Sequence, residues 1–220
     1  MERNEIERLR KLATTNVSDA LDKLCIKGGV FGISPVWDCE KIVGRAVTVK
    51  ITAAGLTTSK HHLGTEAINI AGPEDIIVVD NGGRQDVSCW GGVLATAAHV
   101  KNISGVVIDG ACRDVDEFLG IGFPVYARNA VPLTARNRVM QESFNELIQF
   151  GGVQVRPKDY VIADRSGVCI IPQEKIIEVL DIAEEFYNKE EMMISAIKKG
   201  ENILEVDTIF NYEKMLNKEK

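Results

Sequence analysis

EDIIVVDNGGRQDVSCWGGVLATAAHVKNISGVVIDGACRDVDEFLGIGFPVYARN, residues 74–129, decides the fold. Its first ten residues read as a buried-type strand ending in an acid and glycines, and WGGVLATAAHVK (90–101) reads as a helix. SGVVIDGACRD (104–114) is a second strand of the same kind and FPVYARN (123–129) a third. Strand, helix, strand in that order implies βαβ units with a parallel component, whose functional groups collect at the strands' C-terminal ends.

Upstream, the pattern predicts a helix from Glu2 to Leu12 and a second short one in TTNVSDALDKL, with Thr15, Asn16 or Ser18 as its N-cap. Val47, Val49 and Ile51 alternate with Ala46, Thr48 and Lys50, which predicts a half-buried strand over Arg45 to Ile51. HHLGTEAINIA (61–71) reads as a helix closed by Gly72 and Pro73. Downstream, VQVRPKDYVIADRSGVCIIP (153–172) holds two or three shorter strands with turns at Pro157 to Asp159 and Arg165 to Gly167, an antiparallel meander. A long helix from about Gln173 to Lys199 carries Ile176, Val179, Leu180, Ala183, Phe186, Tyr187, Ile194 and Ile197 on one stripe, and Gly200 stops it. Residues 1–200 thus read as one domain and residues 201–220 as a C-terminal extension that packs on a neighbour or frays.

Composition narrows the function classes. With 220 residues, 45% apolar and 26% charged, the chain has the mixture of an ordinary globular domain, which excludes a disordered chain or a disulfide miniprotein. A net charge of −6 without a basic arm argues against nucleic acid as a partner. Five scattered cysteines with no paired spacing read as reduced and mostly buried, which fits a cytoplasmic protein. MERNEIERLRKL lacks the apolar core of a secretory signal, and the apolar stretch Val87 to Val100 is too short to span a bilayer, so no membrane role is expected.

Chemistry points to a few residues. Trp90-Gly91-Gly92-Val93-Leu94 lies where a loop enters a helix, and the free N–H groups of that first turn suit a carboxylate or phosphate; tight helix–strand packing is the plainer reading. Asn81-Gly82-Gly83-Arg84 lacks the endings of a phosphate loop and reads as a turn. Arg113 and Asp114 follow a buried strand, where a guanidinium can bind a carboxylate bidentately and a carboxylate can ligate a hard cation. Against that, Asp114, Asp116 and Glu117 are also acids of the kind a helix N-terminus favours. His61 and His62 point about 100° apart on a helix and cannot share one metal, so they read as structural or solvated, as does His99. Glu184, Glu185, Glu190 and Glu191 read as a solvated helical face, one of which could serve a site across a subunit boundary.

These residues together resemble the RraA-like family, which includes 4-hydroxy-4-methyl-2-oxoglutarate / 4-carboxy-4-hydroxy-2-oxoadipate aldolases and the regulator of ribonuclease activity A. The resemblance runs from about Val17 to Gly200 and is most specific in Gly92, twenty intervening residues, then Arg113-Asp114. It implies an α/β swivelling β/β/α sandwich of mixed parallel and antiparallel strands, assembled as a homotrimer or hexamer with sites between subunits. It implies a class II lyase in which Mg²⁺ or Mn²⁺ and a short 2-oxo acid meet, by retro-aldol cleavage or oxaloacetate decarboxylation through a pyruvate enolate. By resemblance Asp114 ligates the metal, Arg113 binds the pyruvyl oxygens, and Gly91, Gly92, Val93 and Leu94 offer backbone N–H groups to the carboxylate. Glu190 and Glu191 are the acids that a neighbouring subunit would bring to the metal. The proficient aldolases carry Asp at the position of Gly92; glycine there is similar to the ribonuclease regulators, which makes a non-catalytic trimer that binds a protein the competing expectation.

Overall fold

The computed structural model describes residues 2–212 and 215; the rest of the C-terminal extension (213, 214 and 216–220) lies outside the described residues. In chain order the elements are α1 (Glu2–Lys11), α2 (Thr14–Lys23), β1 (Gly29–Val30), β2 (Ser34–Pro35), β3 (Ile42–Ala53), α3 (Thr65–Ile70), β4 (Asp75–Ser88), α4 (Gly92–Val100), β5 (Gly105–Cys112), α5 (Val115–Ile121) and β6 (Val125–Ala130). Then come β7 (Val139–Phe144), β8 (Ile148–Phe150), β9 (Val153–Val155), β10 (Tyr160–Asp164), β11 (Gly167–Ile171), a single 3₁₀ turn (Gln173–Lys175), α6 (Ile176–Lys198) and α7 (Ile203–Phe210).

The parallel unit read from residues 74–129 is present: β3, β4, β5 and β6 lie side by side and parallel. The meander is also present, since β10 pairs antiparallel with both β11 and β3. The main sheet runs β1-β11-β10-β3-β4-β5-β6-β2, with β7 on the far half of β3 and β8–β9 as a separate hairpin.

Burial sorts these strands into layers. Val47, Val49, Val79 and Ile108 face helices α3, α4 and α5 through Ala67, Ala95 and Phe118. The other face of the same strands (Ala46, Val78, Val107) meets the β8–β9 hairpin through Phe150 and Val155, and β10–β11 through Val161 and Ile170. The outer face of β10–β11 (Ile162, Ile171) is closed by α1, α2 and α6 through Leu9, Leu21 and Leu180. Helices, parallel strands, meander, helices is therefore the order of layers.

The structure departs from the expected pattern in several places. Strand β3 is buried on both faces, not half-buried, because Ala46 and Thr48 are covered as fully as Val47 and Val49. Asn81-Gly82-Gly83-Arg84 is not a turn between elements: β4 continues through it, with Gly82 and Gly83 at φ +62° and +70° forming an excursion. Asp80 faces Asp109, Arg84 faces Gly110 and Ser88 faces Ala111, so eight steps along β4 answer two along β5. The long helix carries its buried stripe as expected as far as Phe186, then shifts to Met193 and Ala196 under Val206 of α7; Tyr187, Ile194 and Ile197 are exposed. Helix α2 begins one residue before the expected caps, and Asn16 reaches back to accept from the Ala13 N–H at 3.1 Å. The five cysteines are free, and all but Cys25 are buried. Among the described residues no helix is long and apolar enough to cross a membrane.

A row of charges crosses the sheet on the Val78–Val107 face, where Lys50, Asp80 and Asp109 are register neighbours. Asp109 accepts from Arg128 Nε and, at 2.8 Å, from the Gly151 N–H, while Asp80 accepts from the Gly82 N–H at 2.9 Å. Burial pushes the Asp80 carboxyl up; the Gly82 N–H opposes that and the Asp109 charge adds to it.

Candidate active site

The ends of β4 and β5 are zipped together by backbone. Cys89 N donates to Ala111 O at 3.0 Å, and one step on, Arg113 N donates to Trp90 O at 3.0 Å. Gly91 and Gly92 are thereby set against Arg113 and Asp114, so the four residues the sequence singled out at two separate places form one cluster.

Helix α4 starts at Gly92 and has no side-chain cap of its own. Its first N–H is capped from the neighbouring strand end, by Asp114 Oδ2 at 2.9 Å. Val93 and Leu94 follow in the same turn, where N–H groups have no intrahelical acceptor, and both line the adjoining cavity. Glycine at 91 is required by close approach: a Cβ there would stand 2.6 Å from Asp114 Oδ2 and 3.2 Å from Arg113 Nε.

Asp114 carries its carboxylate away from the helix that follows it. It is the N-cap residue of α5 but makes no side-chain cap to it, and its backbone lies in the left-handed region (φ +64°, ψ +43°). That conformation costs a non-glycine residue about 1–2 kcal/mol, least for Asp and Asn, and it turns the carboxylate from its own helix toward α4. Arg113 Nε lies 3.3 Å from the same Oδ2, with both side chains about one third exposed. Glu117, which the sequence presents as a helix-start acid, lies one helical turn on. Its carboxylate stands over Gly92, where a Cβ would fall 1.4 Å from Glu117 Oε2. The Asp114-x-x-Glu117 spacing was the available signal, since residues three apart share a helix face.

The cavity at this cluster encloses about 270 Å³. Trp90, fully buried, forms part of its lining, and its indole N–H has no hydrogen-bond partner among the described residues. Cys89, which lines the cavity, and Cys112 are both buried; burial pushes both thiols up, Cys112 to about 12, so neither is a thiolate nucleophile. His61 and His62 sit in the loop before α3 and not on a helix, because Gly64 at φ +79° delays the helix until Thr65. His62 lines the cavity, whereas His99 is exposed near the far end of α4. Glu190 is engaged elsewhere, accepting from Asn16 Nδ2 at 2.8 Å and from the Tyr212 hydroxyl at 2.9 Å. Neither Glu190 nor the exposed Glu191 lines the cavity, so a role for them there is confined to a second copy of the chain.

The profile of the RraA-like family, described as Aldolase/RraA, matches residues 14–170. The chain belongs to the RraA-like family. A Halalkalibacterium halodurans protein named "Putative 4-hydroxy-4-methyl-2-oxoglutarate aldolase" is 30% identical over 213 residues, covering 96% of this chain and 95% of that one. Protein DlpA of Legionella pneumophila is 30% identical over 210 residues; the match takes in 96% of this chain and 34% of DlpA, so this RraA-like chain spans about a third of that relative's length. Among solved structures, an uncharacterized Pseudomonas syringae protein superposes with a TM-score of 0.84 at 28% identity, covering 93% of this chain and 96% of that one. The mixed α/β sandwich is thus the RraA-like fold, and the paired strand ends lie within the matched span.

Proposed function

We propose that this RraA-like protein is a divalent-metal-dependent lyase acting on short 2-oxo acids, by retro-aldol cleavage of 4-hydroxy-4-methyl-2-oxoglutarate-like substrates, by oxaloacetate decarboxylation, or by both. The observation that carries the reading is the convergence of Asp114, Arg113 and the first turn of α4 on one cavity.

The residues fit a hard cation. Asp114 presents a carboxylate to the cavity beside Arg113, and no cluster of three or more His, Cys, Asp or Glu occurs among the described residues. One or two carboxylates with remaining positions left to water is the donor set of Mg²⁺ or Mn²⁺, not of a structural zinc. When bound, the cation would stabilise negative charge developing on the enolate oxygen.

The chain's own groups supply the rest. Arg113 presents a planar fork to the pyruvyl carboxylate, and the Val93 and Leu94 N–H groups add fixed dipoles directed at an anion. Retro-aldol cleavage breaks the C3–C4 bond, removes the proton of the C4 hydroxyl, and leaves the electron pair in the enolate of pyruvate. To Glu117, whose carboxylate lies over Gly92 at the start of α4, this reading assigns the role of taking that proton and returning one to C3, completing pyruvate. Decarboxylation gives the same enolate with CO₂ leaving in place of the carbonyl fragment. Val93, 85% exposed at the cavity, and Val100 at the other end of the helix favour a homotrimer or hexamer that covers this side of α4. Four buried free cysteines accord with a cytoplasmic location.

Pyruvate release from 4-hydroxy-4-methyl-2-oxoglutarate and from oxaloacetate, with Mg²⁺ or Mn²⁺, tests the proposal. Release above the metal-only blank is expected; none with either substrate overturns it in favour of a non-catalytic, protein-binding regulator.

A further inference from the structure

The second half of α6 runs on past the helices that cover its first half. Arg8 of α1 holds Glu184 at 2.8 Å, Asn16 of α2 holds Glu190, and α7 lies over Met193 and Ala196 through Val206. Left uncovered are Tyr187, Glu191, Ile194 and Lys198, which are exposed and share one face of the helix because they follow one another at steps of four, three and four; exposed Ile197 flanks them. Helix α7, which begins after Gly200 ends α6 at φ +92°, is apolar at Ile203, Leu204, Val206, Ile209 and Phe210, yet only Val206 is buried, and Leu204 and Ile209 are 74% and 72% exposed. A helix apolar on nearly every side belongs in an interior, and apolar surface gathered on one arm of a chain marks a contact.

The charges on the stripe say what covers it. Along this part of α6 the acids Glu190 and Glu191 come first and the bases Lys198 and Lys199 last. Among the described residues neither Glu191 nor Lys198 makes an ion pair, so both charges are unspent. Tyr187 and Ile194 with Ile197 occupy the a and d places of a heptad, and Glu191 and Lys198 fall at its e places. Two copies of this helix laid antiparallel, about a two-fold axis between Ile194 and Ser195, bring Ile194 and Ile197 of both into one seam and set Glu191 of each copy opposite Lys198 of the other. The surface is complementary to itself, which is what a two-fold contact requires.

We infer that the uncovered stripe of α6 is the seam of a two-fold contact between two copies of this chain, an antiparallel pair of α6 ends with the α7 helix of each copy beside it. Helices α4 and α6 belong to opposite outer layers of the fold, so this seam is separate from any contact on the Val93 side of α4. It therefore joins in pairs the assembly formed there, two rings of three into six, or single chains into two. The inference does not depend on the lyase reading.

Light scattering of the whole chain on a sizing column, at micromolar concentration, tests it. The parent should be an even-numbered assembly. Ile194→Glu, which places two carboxylates in the seam, should halve its mass, and because Ile194 is exposed, circular dichroism of the variant should match the parent. Lys198→Glu sets acid against acid at both ends of the seam and should raise the dissociation constant of the pair by about fivefold to thirtyfold in low salt. Adding Glu191→Lys to Lys198→Glu restores opposite charges and should bring the constant back to within about twofold of the parent's. An odd-numbered or monomeric parent, an Ile194→Glu variant of parental mass, or a double variant no tighter than Lys198→Glu overturns the inference; parental mass in Ile194→Glu would leave the stripe to residues 213–220 or to a different protein.

Discussion

Replacing Gly92 by alanine should abolish the proposed pyruvate release by evicting the side chain of another residue, Glu117. The added Cβ would stand 1.4 Å from Glu117 Oε2, 2.5 Å from its Cδ and 3.3 Å from its Cβ. Ordinary carbon contact is about 3.5 Å, so the carboxylate must retreat by about 2 Å, while the Glu117 Cβ needs only a few tenths of an ångström. Misplacement by about 1 Å can already cost a hundredfold, and a lost general acid/base typically costs 10² to 10⁴; kcat for pyruvate release should therefore fall by about 10² to 10⁴. The fold should not suffer, since alanine is the better helix former by up to ~1 kcal/mol. Glu117→Ala should reproduce the loss, and the double variant should be no worse than either single one, because both remove the same group. Gly92→Asp exchanges one carboxylate for another and should lie between the parent and Gly92→Ala. A folded Gly92→Ala protein with parental kcat would refute the role given to Glu117.

Asp114→Asn keeps an acceptor for the Gly92 N–H and a residue type that tolerates φ +64°, so Tm should stay near the parent's while calorimetry shows Mn²⁺ affinity lost. Asp114→Ala loses the capping bond as well and should unfold with about 2 kcal/mol less stability in urea. Arg113→Lys should weaken pyruvate binding nearly as much as Arg113→Ala, since a point charge cannot reproduce the fork; near-parental affinity in the Lys variant would contradict carboxylate binding there. Burial holds the Asp80 carboxyl above its unfolded value, so the folded state binds the extra proton and parental stability rises as pH falls through the folded value toward the unfolded 3.8. Asp80→Asn should therefore raise Tm at pH 7, with the advantage shrinking across that window; an advantage that grew on acidification would reverse the assignment.

The βαβ core was legible because its strands are short runs of Ile and Val bounded by glycines, and the meander because turn residues fall at regular intervals. Strand β7 was not: its inward column includes Val139 and Gln141, and a buried glutamine reads in sequence as a surface residue. Arg113 and Asp114 were visible through position, but what turns the Asp114 carboxylate from α5 to the start of α4 is its left-handed backbone, which no residue pattern announces. Glu117 was hidden for a related reason, since its place is set by a neighbouring helix whose own residue there is glycine. Arg136, which also lines the cavity, lies 23 residues beyond Arg113 in a stretch without periodicity, tied to the end of β4 by the bond from Ser88 to Leu133 O.

The excursion in β4 separates two jobs that a straight strand would have to share. Asp75 to Asp80 establish pairing with β3 and β5, while Ser88 resumes it opposite Ala111 and delivers Trp90 and Gly91 to the site. Between them residues 82–86 lie at or near the surface, and Ser88 is held independently through Leu133 O. Doubling a flexible loop adds only about 0.6 kcal/mol of closure cost. This seam can therefore change length, or accept an inserted peptide, while the end of the strand that lines the cavity keeps its address.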